Sequence, residues 1–146
     1  MIRNVLGAIA GYIVFFFVMY LVFTGFSVAM GPDRLFLPGK YEPSAMWIAG
    51  SFVLGFLCAA LGAYVAALIG KSGAVKVMAG IVIVIGVLVF VMLSQDKTPI
   101  ETRTVDLPTS EAMFKAREPL WVAAVNPFVL LLAVFTGGAL RKKQQR

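Results

Sequence analysis

Four uninterrupted apolar runs, Val5–Met30, Trp47–Ile69, Val77–Leu93 and Leu120–Leu140, contain no Asp, Glu, Lys, Arg or His. A helix needs roughly 20 such residues to cross the ~30 Å hydrocarbon core of a bilayer, and about 17 is the short limit. Lipid offers the backbone no hydrogen-bond partners, so an isolated spanning segment has to be a helix. This holds even for Val77–Leu93, whose β-branched residues would read as a buried strand in water. The chain is therefore expected to be an all-α integral membrane protein, a four-span antiparallel transmembrane helix bundle. Its single transmembrane domain, 1–146, has spans at about 5–30, 47–69, 75–94 and 120–140. Residues 31–46 and 95–119 are then outer loops, with a cytoplasmic loop at 70–76 and a tail at 141–146. Only 14% of the residues are charged, against roughly 25% in soluble domains. Spans and connectors leave no stretch of these residues for a separate soluble catalytic domain.

The charges are sorted by side. Arg3, Lys71, Lys76, Arg141, Lys142, Lys143 and Arg146 share one set of very short connectors with no acid. The other set holds the six remaining basic residues and all seven acids. Basic residues in short segments at span ends mark the cytoplasmic side, so both termini are expected in the cytoplasm, on a membrane of the bacterial inner-membrane type. The basic balance is read as topology, and a nucleic-acid partner is not expected, because no soluble surface gathers these residues. Val5–Met30 is far longer than the roughly 7–15-residue apolar region of a secretory signal. It is expected to remain as the first span, in preference to cleavage after Ser27-Val28-Ala29.

Ser51, Gly55, Ala59, Ala63 and Ala67 recur at strict i+4 spacing in the second run, with Gly62, Ala66 and Gly70 beside its inner half. Small residues let helix backbones approach closely in lipid, so this stripe is the expected helix-packing face. On the first run Tyr12, Phe16, Tyr20 and Phe23 share one face. They are expected to fill the groove over the stripe, with a ring-lined pocket for a pigment, quinone or lipid tail as the alternative. Trp47 and Trp121 sit where aromatic rings anchor at headgroup depth. Pro38-Gly39 suits a type II turn in the first outer loop. In the second, Thr109-Ser110-Glu111 opens an expected short outer interfacial helix over EAMFKARE. Asn126-Pro127 lies in the fourth run, where Pro127 removes a helical hydrogen bond and frees the Ala123 carbonyl. The pair is read as a kink, or as the edge of an outward-facing cavity. Arg141, Lys142 and Lys143 are expected at anionic lipid headgroups.

The missing residues narrow the chemistry. Ion-coupled carriers place an ionisable group inside the membrane, and small multidrug carriers rely on a glutamate in the first span, which Val5–Met30 lacks. With no histidine there is no histidine-ligated haem and no base for Ser110. Cys58 is the only cysteine and cannot form an intrachain disulfide. No catalytic, metal or cofactor-binding constellation emerges, and no enzyme activity is expected. The expected role is a small structural or accessory membrane protein. It would bind the lipid bilayer and either a larger membrane complex or copies of itself, through helix faces and an outer loop cap. The alternative is a homo-oligomeric pore or carrier for a neutral or lipid-like substrate.

Overall fold

A computed structural model of the chain describes residues 1–96, 102 and 117–143. Most of those residues are helical, with no strand among them: α1 Ile2–Met30, a single turn α2 Pro32–Leu35, α3 Ala45–Gln95 and α4 Leu120–Lys143. The three long helices are each apolar enough to cross a membrane, as an integral membrane protein requires. The interfacial helix expected at EAMFKARE lies outside the described residues.

A straight helix of the 51 residues of α3 would run about 76 Å, more than twice the bilayer core. It is not straight. Lys71 has φ 56° and ψ −149°, outside helical backbone, and two helical segments meet there. In a continuous helix Gly62 and Met78 would be about 24 Å apart. Here a Cβ placed on Gly62 would lie 3.4 Å from Met78 Cε, so the chain folds back at Lys71. The Arg3 guanidinium closes this reversal, its Nε donating to the Ile69 carbonyl at 2.6 Å. That carbonyl is among the last of the first segment, which have no helical partner of their own. At the other end of α3, Ser44 caps the helix by accepting from the Trp47 N–H at 3.1 Å.

Helix α1 packs on α3 through glycine. A Cβ on Gly11 would lie 2.6 Å from the Gly62 carbonyl oxygen, and one on Gly7 2.9 Å from that of Ala66. Further out, Phe26 lies over Gly50, so residue numbers rise along α1 as they fall along α3. Helix α4 approaches from another side, with Gly137 on the Ala60 backbone, Gly138 on the Val75 side chain and Pro127 on Gly86. Gly55, Ala59, Ala63 and Ala67 are all buried, and Ser51 is half-buried, its hydroxyl bonded to the Ile48 carbonyl of its own helix.

Two of the four rings on the aromatic face of α1 lie differently from the sequence expectation, while Tyr12 and Phe23 are half-buried against the packed clusters. Phe16 and Tyr20 are 50% and 70% exposed, and Gly7, Ala8 and Gly11 occupy the groove over α3. The physical reason is distance. At Gly7–Gly70 and Gly11–Gly62 the two backbones meet directly, which leaves no room for a ring at that level.

Where α1, α2 and the start of α3 meet, Met30, Leu35, Phe36, Tyr41 and Trp47 form a second apolar cluster. Gly39 has φ 73° and the Lys40 N–H donates to the Leu37 carbonyl at 3.2 Å, which closes the turn at Pro38-Gly39. Trp47 stacks on Phe26 at 5.4 Å and meets Phe23 edge-on at 5.7 Å, so it is buried in this cap. Trp121 is exposed, its ring 6.3 Å from Phe52.

Candidate functional site: an outer cleft beside the proline kink

Two of the sequence features meet in space. Tyr12 and Phe16 of α1 and the Asn126-Pro127 pair of α4 line one cleft, about 210 Å³, closed on its third side by Val82, Ile85, Gly86 and Val89 of α3. Tyr20 and Phe23, the other members of the aromatic face, are not among its lining residues.

Each wall has a local cause. Pro127 lacks an N–H, so α4 loses one backbone bond at this level, and the ring sits on Gly86, where a side chain would collide with it. That contact brings α4 against the second segment of α3. On the opposite wall Tyr12 donates its hydroxyl to the Met78 carbonyl at 3.3 Å, which fixes the ring. Phe16 stacks on Tyr12 with ring centres 5.9 Å apart, and Phe15 lies 5.0 Å from Phe16. Phe15 is buried in the core, while Phe16 presents its ring to the cleft. Asn126 is exposed and supplies an amide that can both donate and accept.

The outer end of the cleft is polar. A second cavity, about 310 Å³, is lined by Glu42, Ser94, Asp96, Arg117 and Glu118 with Leu93, Pro119 and Leu120. Arg117 pairs with Asp96, and its backbone N–H donates to the Tyr41 carbonyl at 3.2 Å, joining the start of α4 to the first outer loop. Glu118 lines both cavities. Desolvation by its neighbours raises its carboxyl above the ordinary glutamate range, although the residue as a whole is exposed. The arrangement joins a carboxylate-rich mouth to a narrow apolar slot with one amide inside it. Among the described residues its shape and polarity match those of an amphiphile.

Read from the sequence, Gly7, Gly11 and Gly86 are not singled out, and Glu118 is weighed only with Asp96, Glu101, Asp106 and Glu111 as a possible acid or base. Each of these acids has a basic residue close by, as in an ordinary solvated loop. The four-residue spacing of Gly7 and Gly11 carried a readable signal, because it matches the small-residue spacing on α3. Gly86 carried none, and nothing along the chain tied Glu118 to a membrane cleft. In the last turn of α4 Arg141 is half-buried and Lys142 and Lys143 are exposed.

No protein-family model, no curated protein and no solved structure matches the chain.

Proposed function

We propose that the chain is a four-span antiparallel bundle, formed by α1, the two segments of α3 on either side of Lys71, and α4, that serves as a small accessory membrane protein. Both termini and the Lys71 reversal face the cytoplasm of a bacterial inner membrane, and the loops at 31–46 and 95–119 face out. The fold-back at Lys71 and the opposed pairing of Gly7 with Gly70 and of Phe26 with Gly50 support the bundle. The gathering of basic residues in the short inner segments supports the orientation. Arg141, Lys142 and Lys143 contact anionic headgroups there.

The observation that carries the accessory role is the outer half of the second α3 segment. From Ile83 to Met92 every residue except Gly86 is exposed, an apolar surface reaching most of the way round the helix. The other helices of the chain cover it only in part, along the Ile85 and Val89 side that borders the cleft, which suits a face that meets a partner helix or a second copy. Val87→Cys in a Cys58→Ser background, oxidised in native membranes, tests this. A defined disulfide-linked product, with a partner chain or with itself, is expected. Absence of any product at Val87, and likewise at Leu88 and Val91, overturns the reading.

The cleft favours a second reading, a binder or carrier of a lipid-like substrate. Its walls are apolar, it opens between helices, and its inner amide and polar mouth match an amphiphile better than an ion.

A further inference from the structure

We propose that the outer cleft binds a single-chain amphiphile with an ammonium-bearing headgroup, the chain lying between Tyr12, Phe16 and Val89 and the head at Glu118. The inference rests on the lipid-like reading above and deepens it by naming the ligand class.

The chain comes from the slot. At about 210 Å³ it is smaller than the roughly 300–1,000 Å³ of pockets that enclose drug-sized molecules, so it suits one extended hydrocarbon chain better than a bulky fused ring system. The pocket is also fixed on its sides: the Tyr12 hydroxyl is tied to Met78 and the Pro127 ring is seated on Gly86. Inward movement of α4 to close the slot is blocked by that second contact. Asn126 gives the ligand one hydrogen-bonding position beside the kink, where an ester, amide or hydroxyl near the head of the chain would sit.

The head comes from the mouth. Among the described residues it brings three carboxylates, Glu42, Asp96 and Glu118, against one guanidinium, Arg117, which Asp96 engages. A cation fits that balance, and an anionic head would face repulsion from Glu42 and Glu118. Glu118 belongs to both cavities, so a molecule with its chain in the slot has its head beside this carboxylate.

Photolabelling of the purified full chain in nanodiscs tests the assignment. The probes are one alkyl chain carrying a diazirine, with an amine, an alcohol or a sulfate head, and adducts are located by mass spectrometry. The amine is expected to label Phe16, Val89 and Leu130 about tenfold more than the other two, as a charge-assisted contact predicts. Glu118→Gln should erase that advantage and leave labelling of the slot by the chain. Val89→Trp, at a side chain with one exposed face, should block the slot to all three probes. Equal slot labelling by the three heads overturns the headgroup assignment and leaves the lipid-like reading standing. Absence of slot labelling by any probe overturns both.

Discussion

Gly11 and Gly62 meet backbone to backbone: a Cβ on either would lie 2.6 Å from the carbonyl oxygen of the other. Neither backbone can yield as a flexible side chain would, because each is held in its own helical hydrogen-bond ladder. The contact sets the distance between α1 and α3, and through it the width of every space between those helices.

Gly11→Ala and Gly62→Ala should therefore each destabilise the protein by about 1–3 kcal/mol, the usual range for overpacking. Gly25→Ala is the control, since a Cβ there meets nothing within 4 Å. By helix propensity it should be neutral or stabilising by up to about 1 kcal/mol. Unfolding in mixed detergent gives both values, and equal behaviour of Gly11 and Gly25 would count against the packing.

The reversal at Lys71 has an L-residue at φ 56° and ψ −149°, backbone that favours glycine. Lys71→Gly should raise stability by ~1 kcal/mol, the strain relieved being partly offset by the greater freedom of glycine in the unfolded chain. Lys71→Val should lower it by more. Thermal melts of the two variants in one detergent read the difference directly.

Glu118 has a folded-state pKa above that of the unfolded chain, caused by desolvation by its neighbours. Its contribution to stability is present in full below the ordinary glutamate range and is lost as the pH rises through the folded value, because ionisation is easier in the unfolded chain. The wild type should melt at a higher temperature on the acid side of that window than at neutral pH, relative to Glu118→Gln. A constant difference between the two across the titration would be evidence against a desolvated carboxyl at this position.

Orientation can be read with single cysteines in a Cys58→Ser background and a membrane-impermeant thiol reagent applied to intact cells. Glu42→Cys should react from outside, and Ser72→Cys only after the membrane is opened. The reverse pattern would invert the topology. Asn126→Cys should react slowly or not at all with the charged reagent and readily with an apolar one, as expected of a slot that admits chains and excludes ions.

Composition and charge placement alone determined the class of this protein. Runs such as Val5–Met30 and Leu120–Leu140 have to be helices in lipid because nothing else satisfies their backbones, and this follows from the residues without knowledge of their neighbours. The burial of Gly55, Ala59, Ala63 and Ala67 was legible for the same reason, since side-chain size and helical period are local properties. Which surface covers the neighbouring groove was not local. Tyr12, Phe16, Tyr20 and Phe23 share a face by periodicity, but whether rings or glycines occupy the interface depends on the rotation of α1 about its axis. The structure turns Gly7 and Gly11 inward and leaves Phe16 to line a cleft. The cleft itself is wholly tertiary. It needs a proline of α4 seated on a glycine of α3, at Pro127 and Gly86, and a carboxylate at its mouth, Glu118. No spacing along the chain relates these three positions, because the contacts that join them are set by how the helices pack.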